Sequence, residues 1–308
     1  MRVRRSEAFA PSAITNFFEI SYHARGGSAG ATGGGYVLTK GTTTRALARD
    51  GGGRVATVVN GDPGYDARTT RRAAKALLSE QAPGVSVELD QTSDTPIGGG
   101  FGASAAAATS AVYAVASAAG IAKRKDVLAS YAYRAEVEER TGLGTVSVIY
   151  DGVGAGAITV PGEPGRSEFL RVKIPKGLRI VTGFLAPFDK RDALSSKPVS
   201  DRINALGRES LRSFVSDPTL ANLASEGERF SRRLGLESPE VVKMIAAAKA
   251  AGAEYASQNM IGYSVHSLVF DGGSGRVASA LRSLSPDVRV DEFGVGRKRA
   301  SALKASRR

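Results

Sequence analysis

The sequence predicts an α+β protein built as two domains, and three observations predict it. At 308 residues the chain is long for one compact core and comfortable for two domains of ordinary size. Short β-prone runs are interleaved with longer stretches of helical spacing, and no internal repeat is present. Between the two halves, PGEPGRS at 161–167 is turn-forming, polar and aperiodic. It marks a boundary between a domain over 1–163 and a second over 164–296. Residues 297–308 read as a disordered basic tail.

Taken in order, residues 9–20 are an extended segment interrupted by Pro11. The small residues GGSAGATGGG at 26–35 read as a loop, followed by a strand at 36–39 and another at 54–59. Asp66 is placed to cap a helix running to residue 79, with Ala73, Ala74, Leu77 and Leu78 at helical spacing. Pro83 and Gly84 stop it, and 85–89 (VSVEL) alternates as a half-buried strand should. Beyond an Ala-rich helix, 126–140 forms a second amphipathic helix ended by Thr141 and Gly142. Its C-terminal end crowds Glu136, Glu138 and Glu139 against the helix dipole, which calls for a compensating cation: a metal ion, Arg134 or Arg140. Residues 145–150 and 155–160 are β-rich, and strands are expected at 169–174 and 178–184. Of three helices that follow, two start with a cap residue and a proline, at Asp217-Pro218 and Ser238-Pro239-Glu240. The chain ends as a hairpin or a β–α–β unit through 264–270, 276–284 and 288–293.

The most informative stretch is 95–119, TPIGGGFGASAAAATSAVYAVASAA. Gly98, Gly99, Gly100 and Gly102 allow positive φ and let a ligand approach the main chain. The helix that follows offers unpaired N–H groups and a partial positive charge, which together suit phosphate. Ser104 falls in its first turn, where a hydroxyl can meet a phosphate oxygen or Mg²⁺. No Gly-Lys-Ser/Thr follows the glycines, so this is not a Walker loop, nor is it G-x-G-x-x-G with a later acid. The uncharged run from 95 to 122 is long enough to span a bilayer, but Gly, Ala, Ser and Thr dominate it and gain little from lipid.

Composition narrows the function. There is no cysteine, which removes disulfides, thiolate metal sites and a Cys nucleophile. His23 and His266 are the only histidines, too few for a His-cluster metal site, and both read as structural. The net charge of +12 suggests nucleic acid until it is located. Arg2, Arg4 and Arg5 at one end and Arg297, Lys298, Arg299, Lys304, Arg307 and Arg308 at the other hold most of it. With no stacking platform beside those tails, nucleic-acid binding is not expected. The N-terminus lacks a signal-peptide core, so a cytoplasmic enzyme or binding protein is the default.

The run Pro96-Ile97-Gly98-Gly99-Gly100-Phe101-Gly102-Ala103-Ser104-Ala105-Ala106 resembles the phosphate-binding motif of the GHMP kinases, roughly P-x-G-x-G-L-G-S-S-A-A. Within that superfamily, AFAPSAITNFFEI (8–20), GGSAGATGGGYVL (26–38), RAEVEERTGLGTV (134–146), DRINALGRESL (201–211) and ASQNMIGYSV (256–265) resemble the archaeal pantoate kinase branch. The similarity runs in order from about residue 6 to 295. It implies a GHMP-kinase-like fold, with an N-terminal ribosomal-protein-like α/β domain, a C-terminal ferredoxin-like α+β domain and ATP between them. The implied reaction is ATP- and Mg²⁺-dependent phosphorylation of the primary hydroxyl of pantoate in coenzyme A synthesis, by a cytoplasmic homodimer. Pro96, Gly98, Gly99, Gly100, Gly102, Ala103 and Ser104 would hold the nucleotide. Ser104 and Glu136 would bind Mg²⁺, and Ser28, Tyr133 and Gly262 would lie around the substrate.

Three departures bear on activity. Thr145 stands in the catalytic position where the branch reads Asp after T-G-L-G, Tyr133 stands where a His is expected, and Ala13 follows Ser12 where most GHMP kinases have Lys. A positioned base contributes about 10²–10⁴-fold, whereas phosphoryl transfer draws mainly on positioning and charge neutralisation. Asp62, Asp94 and Asp151 are candidates for a displaced base. The residues therefore leave open a kinase for another small hydroxy acid or alcohol, of mevalonate or homoserine type, or a silent nucleotide-binding protein.

Overall fold

Two long strands organise the molecule. In the computed structural model, which describes residues 3–21, 29–188, 196–270 and 272–303, β1 (Arg4–Ser21) and β2 (Gly30–Asp50) pair antiparallel along most of their length. Pro11 cannot donate to a ladder, and the register shifts between Pro11 and Ala13 to accommodate it. The loop expected over 26–35 is corrected from residue 30 onward, since Gly33, Gly34 and Gly35 belong to β2. A Cβ at Gly35 would strike the carbonyl of Ile14, so glycine is what lets the two strands approach.

Through its second half β2 pairs with β4 (Val85–Ser93), and through residues 33–36 with β5 (Ala155–Val160). Next to β4 lies β3 (Val55–Val59), parallel to it, with α1 (Arg68–Gln81) as the crossover such a pair requires. Asp66 does not cap α1: the N-cap is Ala67, with no side-chain bond, and Asp66 pairs with Arg68 and Arg71 instead. β6 (Glu168–Arg171) on β5 and β11 (Ser301–Leu303) on β1 complete a seven-stranded sheet.

Those last two strands change the domain picture. The turn at 161–167 joins β5 to β6 inside one sheet, so the passage to the second sheet falls at 172–178 rather than at 163/164. The tail is likewise ordered by contacts as far as residue 303. Its β11 pairs with β1, Arg299 Nε donates to the Asp151 carbonyl at 3.1 Å, and Lys298 Nζ lies 4.0 Å from the Phe9 ring centroid.

Against the sheet lies α2 (Ala103–Ala119), flanked by α1 and α3 (Lys125–Glu138). Ala105, Ala106, Ala108, Ala111, Val112, Ala114 and Val115 are wholly buried. A helix without a polar face must be enclosed, and here protein encloses it. Among the described residues no helix is long and apolar enough to cross a membrane. Residues 145–150, expected to be β-rich, fall within a helix, α4 (Thr145–Asp151). Val146 and Ile149, three apart, are buried together, and that packing overrides the β-branched propensity of the run.

The second sheet is antiparallel throughout, in the order β10-β7-β9-β8: β7 (Arg179–Ala186), β8 (Tyr255–Gln258), β9 (Tyr263–Val269) and β10 (Arg289–Gly294). One face is covered by α7 (Pro239–Ala250) and α8 (Ser274–Arg282) through Val241, Met244, Val277 and Leu281. The chain thus ends as strand–helix–strand, not as a hairpin. Ser238 caps α7 as expected, its hydroxyl accepting the Val241 N–H at 3.3 Å. α6 (Leu220–Leu234) is capped by Thr219 rather than Asp217. Together with α5 (Lys197–Ser216), α6 packs on the first sheet: Ile203, Leu206, Phe214, Leu223 and Phe230 share a core with Ile14, Phe17, Phe18 and Leu38.

Candidate active site

Between β4 and α2 the chain makes a loop in which Gly98 (φ 80°), Gly100 (φ 77°) and Gly102 (φ 62°) are left-handed. Three of its carbonyls are held by protein. The Gly98 carbonyl accepts the Phe188 N–H at 3.0 Å, the Phe101 carbonyl accepts the Ala13 N–H at 3.0 Å, and the Gly99 carbonyl accepts from Asn259 Nδ2 and Ser264 Oγ. In a trans peptide the C=O and the following N–H point in opposite directions, and no peptide is cis among the described residues. Holding these carbonyls inward therefore turns the N–H groups of Gly100 and Gly102, which border the cavity described next, away from them. Among the described residues no protein acceptor engages the N–H groups of residues 98–105. With the start of α2 beside them, they form a cradle for an anion.

A cavity of about 520 Å³ opens on this cradle, bordered by Gly98, Gly100, Gly102, Ala103 and Ser104. Pro96 and Gly99, expected among the ligand-binding residues, are buried behind the loop and do not border it. Gly262 lies on the facing wall, in the turn between β8 and β9, so it faces this cavity rather than a separate substrate pocket.

Ser104 Oγ donates to Glu136 Oε1 at 2.6 Å, joining the first turn of α2 to a carboxylate on α3 that is only 2 % exposed. Gly142 leaves room for it, because a Cβ there would overlap the Glu136 carboxylate. Among the described residues no group of three or more His, Cys, Asp or Glu could hold a metal alone. One carboxylate and one hydroxyl at the edge of a phosphate-sized cradle do fit Mg²⁺, which commonly takes one or two carboxylates and completes its shell with phosphate oxygens and water. The neighbouring acids are balanced elsewhere: Glu138 and Glu139 pair with Arg72 of α1, rather than with Arg134 or Arg140.

A second cavity, of about 620 Å³, adjoins the first. Its walls are largely apolar, including Ile14, Phe18, Val148 and Ile158, with Ser200, Asp201 and Asn204 of α5 at one side. Ala13, at the position expected to hold Lys, borders it. The two cavities share Thr15, Arg140, Thr145 and Met260. Arg140 (φ 56°) and Met260 (φ 51°) are both non-glycine residues in left-handed backbone, a conformation concentrated at functional sites.

Several expected roles are altered. Tyr133 borders neither cavity; it is 1 % exposed and its hydroxyl donates to the Ala29 carbonyl at 2.8 Å, so it supports a wall residue. Ser28 and His23 lie outside the described residues. Asp62, Asp94 and Asp151 border neither cavity, which removes them as a displaced base. Asp62 accepts the Gly64 N–H at 2.7 Å, and burial raises the Asp151 carboxyl above the usual range. Asp66 and Asp201 do border the cavities, each tied to a base: Asp66 is held low by Arg68, and Asp201 lies 2.8 Å from Lys197. Sequence reasoning gave no role to Thr15, Asn259 or Met260, and treated Arg140 only as a counter-charge. Their common signal is positional, since they sit in or beside the segments 8–20, 134–146 and 256–265 already singled out.

Residues 68–152 match the family model for the GHMP kinases N terminal domain. The Pantoate kinase of Thermococcus kodakarensis is 29% identical over 287 residues, covering 90% of this chain and 92% of that protein. The Pantoate kinase of Methanospirillum hungatei is 25% identical over 279 residues, covering 87% and 89%. A solved structure described as a phosphotransferase related to the CoA biosynthesis pathway superposes with a TM-score of 0.84 at 25% identity, over 98% of this chain and 99% of that one. A matched N-terminal domain, relatives aligned almost end to end and a shared fold converge on the GHMP kinases: residues 68–152 match their N-terminal domain, and the chain is similar to members of that family along nearly its whole length.

Proposed function

We propose that this chain is an ATP-dependent pantoate kinase, phosphorylating the primary hydroxyl of pantoate to 4-phosphopantoate for archaeal coenzyme A synthesis. The observation that carries the reading is the meeting of two cavities at Thr15, Arg140, Thr145 and Met260, one of them floored by unengaged loop amides. The kinases with which the chain aligns nearly end to end support pantoate as the acceptor. The strand order β10-β7-β9-β8 of 179–294, a β-α-β-β-α-β plan with two additional helices between its first two strands, supports reading the second half as ferredoxin-like, and the first as the ribosomal-protein-like α/β domain.

In this reading Mg²⁺-ATP, when bound, supplies the phosphoryl group and neutralises charge on it. The amides of 98–104 orient the triphosphate, while Ser104 and Glu136 would hold the metal. Arg140 is the one cation among the described residues that borders both cavities, which in this reading puts it between donor and acceptor. Thr145 places no carboxylate there. Because the transition state of phosphoryl transfer is loose, positioning by the loop and Arg140 carries the rate, and the hydroxyl proton passes to phosphate oxygen or solvent.

A coupled assay with Mg²⁺-ATP across pantoate, mevalonate and homoserine tests the assignment. Turnover is expected on pantoate, and turnover on either of the others instead would displace it. Arg140→Ala is expected to lower turnover by about 10²–10³-fold while leaving the Mg²⁺-ATP dissociation constant within about threefold. A parallel loss of ATP affinity would make Arg140 a nucleotide ligand rather than a transfer residue.

A further inference from the structure

His266 sits in the middle of β9, 2 % exposed, and no step of the reaction uses it. Its Nδ1 lies 2.7 Å from Asn259 Oδ1 and its Nε2 3.3 Å from Ser257 Oγ. An amide oxygen only accepts, so Nδ1 carries the proton and Nε2 accepts from the serine hydroxyl. Burial keeps the ring neutral, with a pKa lowered to about 3. With Oδ1 taken, the amide of Asn259 has one remaining direction, and Nδ2 donates to the Gly99 carbonyl at 3.3 Å. Asn259 is wholly buried, and its main chain is fixed as well: its N–H donates to the Ser264 carbonyl at 2.9 Å, and its carbonyl accepts the Gly262 N–H at 3.0 Å. The same side chain fills the space beside Gly100, where an added Cβ would lie 2.9 Å from Asn259 Cβ.

The peptide joining Gly99 to Gly100 therefore has its oxygen gripped by the second sheet and its N–H turned the opposite way, at a residue bordering the cavity of about 520 Å³. We propose that Asn259, oriented by the Nδ1–H of His266, is a positioning residue that aims the Gly100 N–H at the nucleotide and so sets nucleotide affinity from the far side of the loop. The proposal rests on the reading of that loop as a triphosphate cradle. A packing role alone would require shape at these positions; the proposal requires a donor on His266 and an amide on Asn259.

Calorimetric titration with Mg²⁺-ATP, steady-state kinetics and thermal melting of the full chain separate the two. Asn259→Ala is expected to raise the Mg²⁺-ATP dissociation constant about tenfold or more, the effect of a lost buried hydrogen bond. His266→Leu is expected to do likewise, and His266→Asn, which keeps a donor near Nδ1, to recover most of the affinity. The KM for the acceptor and kcat at saturating ATP should stay within about twofold. Because His266 acts through Asn259, the double variant His266→Leu/Asn259→Ala should bind no more weakly than Asn259→Ala alone. If the leucine variant does not fold, Ser264→Ala removes the other donor to Gly99 and should weaken Mg²⁺-ATP in the same way. Unchanged dissociation constants with lowered melting temperatures, or additive losses in the double variant, would overturn the proposal. Wild-type protein that fails to bind Mg²⁺-ATP at all would instead overturn the cradle reading on which it stands.

Discussion

The His266 imidazole has a consequence for stability as well as for position. Unfolded, it titrates near the ordinary imidazole value of 6.5; folded, burial lowers it to about 3. Between those values the unfolded state binds the extra proton, so stability rises with pH through this window and is lost as pH falls below about 6.5. The slope is at most about 1.4 kcal/mol per pH unit for one group. Urea unfolding between pH 7 and 5 should show a falling midpoint, with a shallower fall in His266→Asn. Asp66 and Asp126, held low by arginine partners, lose their contribution at more acidic pH and do not obscure the comparison. Legibility at this scale was uneven. Ser104 and Glu136, far apart in sequence, could be paired from a family motif because the motif encodes their contact. Arg140 and Asn259 could not, because a left-handed turn and a buried hydrogen-bond chain decide where their side chains point.

Among the elements, α2 was the most legible and α4 the least. The uncharged alanine stretch of α2 could be read as an enclosed helix because small residues on every side demand close neighbours on every side. The run TVSVIY has β-branched alternation, yet Val146 and Ile149 are buried together on a single helical turn. Strand β2 is longer than its sequence suggests for a related reason: its glycines look like a loop until the carbonyls of β1 are seen at the places their side chains would occupy. The tight fit of α2 predicts intolerance to volume. Ala111→Leu, at a wholly buried site, should destabilise by about 1–3 kcal/mol through overpacking, read as a lowered urea midpoint with an unchanged denaturant slope.

Across the whole molecule, the mixture of strands and helices is legible in the patterning, but the division between the two sheets is not. A proline- and glycine-rich turn looks the same whether it links two domains or two strands; only the pairing of β5 with β6 distinguishes them. The basic tail lacks periodicity and so reads as detached in the sequence, whereas residues 301–303 pair with β1 and Arg299 bonds the last residue of α4. Removing 297–308 should therefore lower the melting temperature, because β1 loses a paired edge and the Asp151 carbonyl loses its donor. An unchanged melting temperature would show that these contacts contribute nothing net.

The core shared by β1, β2, α5 and α6 also determines how the chain can be divided. A fragment ending after β6 would leave Ile14, Phe17, Phe18 and Leu38 facing water, and the complementary fragment would carry two amphipathic helices with no surface to cover. Neither piece is a self-sufficient unit, so heritable shuffling of one half without the other would yield insoluble products. The two halves of the chain are thereby obliged to be inherited together.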